Sequence, residues 1–286
     1  ASVKRPIIDL KLKTTPVKDQ GRSSLCWVFG MLATIETEHL MQGDSVNLSV
    51  AYVARMALRQ RMQDAYLSRG TRPQHLRGMA SNALALIAQH GLLAYDTYHV
   101  ENNSIFASLV NKTYNLCRVT MAHREGLARL HERFNDLMDN AIGSLPKTQY
   151  LYGAGYTFGE FGRSVCRKDE YVALTSFTRS LKAGHPVCWE GDTSEEGFDF
   201  VEGYARLPLH STAPTQEMRQ VAFETLRTTD DHCMAIVGLA HDSQGKRYFI
   251  MKNSWGTDNA FKGFMFMSID YFKLKTIALW AQQDCV

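Results

Sequence analysis

Five features of this 286-residue chain have the residue types and spacing for chemistry: Gln20, Cys26, Trp27, His232 and the run 252-KNSWG-256. A cysteine attacks as its thiolate, and an unassisted thiol with a pKa near ~8.5 is mostly protonated at neutral pH. Three aids change that: a helix N-terminus, a nearby imidazole, and a donor for the oxyanion that attack creates. Cys26 sits where a helical apolar pattern begins, which supplies the first. Among the ten histidines, His232 stands out because it opens the apolar strand 231-DHCMAIVG-238. Asn253 follows 21 residues later on the next strand of an expected hairpin. Laid side by side, its amide oxygen holds the imidazole in one tautomer, with Trp255 covering that bond. Each residue alone has a blander reading, since a single buried cysteine usually behaves as a small hydrophobe.

The elements that must position these residues follow from periodicity. Val28, Leu32, Ile35 and His39 share one face of a helix that Gly43 closes. Further helices are expected over 49–66, 79–90, 121–141 and 168–183. The period then shortens to two, giving strands over 186–191, 233–241, 247–255 and 263–269, with a turn from Asp242 to Gly245. Residues 1–20 read as an extended arm with turn signals at Pro6 and Pro16. The order predicts an arm joining the right lobe (1–20), a helical left lobe with the nucleophile (21–100), a helical insertion (101–185) and a β-rich right lobe (186–286). A cleft between the lobes is the expected site.

The combination Q-x5-C-W, then D-H-x-M-x-I-V-G, then K-N-S-W-G resembles that of papain-like cysteine peptidases. The resemblance implies an α+β, two-lobed papain-like fold with a barrel-like right lobe. It implies that Cys26 is the nucleophile, His232 the general base and acid, and Asn253 the residue that orients it. Gln20 then donates its side-chain amide to the oxyanion, with the N–H of Cys26 as second donor. The segments 48-LSVAYV-53 and 78-GMASNALALIAQHGLLAYDTY-98 are similar to the family's left-lobe helices. The runs 145-LPKTQYLYGAGYTFGEF-161 and 187-VCWEGD-192 resemble its bleomycin hydrolase and aminopeptidase C branch. Ser23 stands where papain has a disulfide cysteine, so that bridge is not expected. Ser24 and Arg77 stand where the family has glycines; Ser24 and Gly78 are carried as substrate-binding positions, with Trp255 and Asp231. Asp230 and Asp231 either shape the substrate side of His232 or are solvated turn residues.

Composition is that of an ordinary globular protein, 45% hydrophobic and 21% charged. A net charge of +3 leaves no footprint for nucleic acid. The longest charge-free run, Gly78 to Tyr95, is amphipathic and not a membrane span. Six scattered cysteines without a C-x-x-C pair argue against a disulfide scaffold or a zinc site, and Cys117, Cys166, Cys188, Cys233 and Cys285 read as structural. His123 and His131 read as surface residues, and the glycines of 153-GAGYTFG-159 as loop turns. Asp192, Glu195 and Glu196 either contact a substrate amine or belong to a polar loop. No secretory signal is present, and Ala1 favours an exported chain, secreted or periplasmic, over a cytoplasmic one. The expected partner is a peptide or protein substrate, and no metal or organic cofactor is implied. The alternatives are an amidase or acyl transferase on the same site, and a catalytically silent binding module.

Overall fold

The computed structural model describes residues 5–147, 150–152, 161–165 and 174–282. The runs 153–160 and 166–173, with Cys166 and Cys285, lie outside the described residues. So do the glycine run 153–159 and the first part of the helix expected over 168–183.

An extended strand, β1 (Ile7–Lys11), leads to α1 (Cys26–Met41), which is buried from Trp27 to His39. A helix apolar on nearly every side must be surrounded by protein. Around it lie α2 (Val50–Leu67), α3 (Ala80–His90), α4 (Ile105–Ala122) and α5 (Leu127–Ile142). Their inward side chains share one core with Val28, Leu32 and Ile35, including Phe106, Leu109, Phe134 and Met138. Arg55 on α2 reaches Asp139 on α5 at 2.9 Å, fastening α5 to that core.

The helix expected over 121–141 begins only at Leu127, as α5, because residues 121–122 end α4, a helix the sequence reading did not expect. The chain turns at His123–Gly126, where Arg124 has φ +53° and Gly126 caps α5. Folding back brings Leu130, Phe134 and Met138 onto the core shared with α4, which a continuous rod would have left in solvent. Arg133 closes the turn through Thr120 Oγ1 at 2.8 Å and Glu125 at 2.7 Å.

The rest is mainly sheet. Its strands are β2 (Leu92–Leu93), β3 (Tyr150–Tyr152), β4 (Phe161–Val165), β5 (Val187–Gly191), β6 (Phe198–Asp199), β7 (Tyr204–Ala205), β8 (His232–His241), β9 (Arg247–Lys252), β10 (Phe264–Ser268) and β11 (Thr276–Gln282). The helices α6 (Leu174–Lys182), α7 (Gln216–Glu224) and α8 (Ile269–Lys275) accompany them. β2 pairs with β3 alone, and the other nine strands form one open sheet ordered β4-β11-β5-β8-β9-β10-β7-β6. β1 adds to the far half of β8, pairing Ile7 with His241 and Lys11 with Gly238.

Alternation along β8 explains how one strand serves both cores. Cys233, Ala235 and Val237 face the helices, whereas Met234 and Ile236 join Trp189, Phe249, Met251, Met265 and Met267 on the other side. The helix and strand approach closely at one point. A Cβ built on Gly30 of α1 would lie 2.5 Å from Cys233 Sγ and 3.1 Å from its carbonyl carbon. Only a glycine lets α1 lie this near β8, one residue from His232.

Candidate active site

The first wall of the cleft is local. Leu25 precedes α1 without a side-chain cap; its carbonyl takes the N–H groups of Val28 and Phe29, and the Trp27 N–H is left to face the Cys26 sulfur. The segment before it is tied down by short-range bonds. Ser23 Oγ donates to the Gln20 carbonyl at 2.6 Å, and Gln20 Nε2 donates to the Ser23 carbonyl at 3.1 Å. Gln20 Oε1 accepts from Ser254 Oγ at 2.8 Å, which joins this wall to the sheet. Trp27 is fully buried, and its Nε1 donates to the Leu76 carbonyl at 2.7 Å and the Ser24 carbonyl at 3.0 Å. Gly78 lies directly on that indole, where a Cβ would come within 2.9 Å of the ring. The tryptophan after the cysteine is thus the platform that carries the strip Leu76–Met79 into the cleft.

The second wall comes from the sheet. β8 and β9 pair antiparallel across the turn that Asp242 and Gly245 make, so the start of β8 lies beside the end of β9. There His232 Nε2 meets Asn253 Oδ1 at 2.7 Å. The Ser254 N–H also donates to that oxygen, at 2.8 Å, which fixes the amide's orientation. An oxygen acceptor requires the proton on Nε2, leaving Nδ1 of the neutral ring as the acceptor. Trp255 lies over the imidazole with ring centroids 4.5 Å apart and is braced edge-on by Phe198 and Phe200.

Between the walls is a cleft of about 410 Å³, lined by Gln20, Ser24, Cys26, Gly78, His232 and Trp255 among others. The thiol and the imidazole therefore face one space. Burial pushes the Cys26 thiol up to about 12, with the negative charges of Glu190 and Asp230 acting the same way, against backbone N–H bonds from Cys233 and Trp27. Burial holds the His232 imidazole down to about 4, against the Asn253 bond and the Asp231 charge. Both shifts favour the uncharged forms of thiol and imidazole, whereas the N-terminus of α1 favours negative charge on sulfur.

Three sequence candidates have other engagements. Asp231 borders the cleft, but its carboxylate accepts from the Thr193 N–H at 2.8 Å and hydroxyl at 3.0 Å, and from Ser194 Oγ. Its pKa is lowered: burial raises it, but the bonds from Ser194 and Thr193 outweigh that. Asp192 is likewise engaged by Ser194 and Thr229, and Glu195 by Lys275 at 2.7 Å. Sequence reasoning missed Glu190, which lines the cleft although only 1% exposed. An acid inside the apolar run 187-VCWEG-191 was the signal available.

Residues 215–279, which hold His232 and Asn253 but not Cys26, match the model of the papain family cysteine protease. No curated protein sequence matches the chain. Among solved structures, PepW from Lactobacillus rhamnosis HN001 superposes with TM-score 0.75 at 16% identity, covering 99% of this chain and 83% of that one. Bromelain from Ananas comosus, in complex with the E64 inhibitor, superposes with TM-score 0.52 at 16% identity, over 94% of each chain. Digestive procathepsin L 3 of Tenebrio molitor does so with 0.54 at 16%, over 99% of this chain and 72% of that one. The fold is α+β and papain-like, two lobes with a cleft between them.

Proposed function

We propose that the chain is a cysteine peptidase that hydrolyses peptide bonds through a thioester on Cys26. The observation that carries this reading is the 2.7 Å bond from His232 to Asn253 in a ring that lines the same cleft as Cys26. In this reading Cys26 Sγ attacks the scissile carbonyl while its proton passes to His232 Nδ1. Burial of both groups works against a charged pair ahead of attack, so the proton passes to the imidazole as the sulfur reaches the carbonyl carbon. The negative charge that develops on the carbonyl oxygen is met by the Gln20 amide and the Cys26 N–H. One Gln20 N–H is engaged by the Ser23 carbonyl, and that bond orients the other. The imidazolium then protonates the amine as the C–N bond breaks. Water, deprotonated by His232, attacks the thioester, and the thiol leaves with the returned proton.

An epoxysuccinyl inhibitor followed by mass spectrometry tests the nucleophile, and a library of peptidyl aminomethylcoumarins tests turnover. The expected result is one adduct, located on Cys26 and lost in Cys26→Ala, with fluorescence from a subset of peptides. An unmodified chain that releases no fluorophore would leave a binding module with the fold alone. Hydrolysis confined to amino acid amides would favour the amidase reading.

A further inference from the structure

β5 is buried along its whole length, which makes a carboxylate within it chemically out of place. Glu190 does serve the fold, because its Oε1 accepts the N–H of Ala80, the first residue of α3, across the cleft. A neutral glutamine oxygen would accept that N–H equally well, so the cap does not account for a titratable group. Asp230 is exposed and lines the same cleft, near enough to the Glu190 carboxyl for the two to act on each other. Two carboxylates on one cleft wall repel each other, and a cation seated between them relieves that repulsion while pairing with both. The neighbouring Asp231 is already saturated by Thr193 and Ser194, so it does not compete. Arg77 is the one Lys or Arg among the described residues lining the cleft; it lies on the exposed rim, and its charge acts on Asp230.

The position is independent of the acids' own contacts. Both line the space that holds Cys26, close enough for their charge to act on its sulfur, so any substrate seated for attack passes beside them. We propose that Glu190 and Asp230 form an anionic subsite beside Cys26 that holds a cationic group of the substrate, an ammonium or a guanidinium. This rests on the peptidase reading for its location and adds to it the substrate class. The cation has two sources, a free α-amine at the peptide's start or a lysine or arginine side chain.

Binding to the full chain carrying Cys26→Ala tests this without requiring turnover. Titration calorimetry compares capped hexapeptide amides with lysine, norleucine or glutamate placed at each position in turn, and the same peptides with a free N-terminus. At one position lysine should bind about tenfold or more tighter than norleucine, a charge-assisted contact's effect, and glutamate weaker still. Preference seen only with uncapped peptides assigns the α-amine as the source. Asp230→Asn should bring the lysine-to-norleucine ratio close to one, and Arg77→Ala should raise it by removing a competing cation. Asp230 is exposed, so its variant tests the subsite even if Glu190→Gln unsettles α3. Equal binding of lysine and norleucine throughout, a preference that survives Asp230→Asn, or no binding at millimolar peptide would each overturn the subsite. A missing inhibitor adduct on Cys26 would instead overturn the peptidase reading and leave this result standing.

Discussion

The two walls of the cleft are built by different physics. The Cys26 wall is made from residues 20–27 and 76–79, joined by short bonds such as Ser23 to Gln20 and Trp27 to Leu76. Within residues 20–27 the partners are three positions apart, and the one charged residue this wall gives to the cleft lining is Arg77. The histidine wall draws on β5, β8 and the end of β9, segments that only sheet pairing brings together. It carries three carboxylates and an imidazole. Local bonding gives one wall a fixed, nearly neutral platform. Strand register gives the other a charged surface whose members need not be near one another in sequence. The thiol belongs to the first wall, yet its proton affinity is set partly by the second, through Glu190 and Asp230.

Removing a reacting group should break the pairing of the walls most completely. His232→Ala should lower kcat/KM for a good peptide by about 10,000-fold or more, since members of a nucleophile–base unit act together. Circular dichroism of the variant checks that the sheet persists. Separating the walls without touching a reacting group is the next largest effect. Gly30→Ala forces a methyl into Cys233, and overpacking of this kind costs about 1–3 kcal/mol. A lower urea midpoint together with a lower kcat is the expected outcome; an unchanged kcat would mean that the approach of α1 to β8 does not set the site.

Protonation probes the histidine wall by itself. His232 is held near 4 in the folded chain against an ordinary 6.5, so the unfolded chain binds this proton first as pH falls. The folded state should therefore lose stability between about pH 6.5 and 4, by on the order of 3 kcal/mol from this group. Urea denaturation across that range should show a shallower pH dependence in His232→Gln, which has no proton to gain. The smallest effect sharpens the electrostatic link between the walls. Asp230→Asn removes a negative charge that raises the Cys26 pKa, so alkylation by iodoacetamide at neutral pH should quicken several-fold. A slower rate would place the aspartate's influence on orientation and not on charge.

Legibility followed the same division. Gln20, Cys26 and Trp27 lie in one short run, and the Asp242–Gly245 turn announced the hairpin that places His232 beside Asn253. Apolar periodicity gave the helices of the left lobe to within a residue or two, because burial of one face enforces it. It failed at 123–126, where Arg124 adopts a left-handed conformation that propensity does not forecast. β11 and α8 went unread beyond residue 269, since a short helix followed directly by a strand leaves no clean period.

What the sequence determined by itself was the set of candidate site residues and the short run that holds Cys26, because the bonds of Gln20 to Ser23 and Trp27 to Ser24 span only three residues. The tertiary structure alone decided which of the acids lining the cleft is already saturated by the protein. Asp230 and Asp231 are neighbours of the same type, yet one borders open space and the other is saturated by Thr193 and Ser194. Glu190 joins Asp230 only because β5 and β8 pair with Gly191 opposite His232. Register is a long-range property, fixed by the packing of two cores against one sheet, and a one-residue slip would turn that carboxylate to the other face.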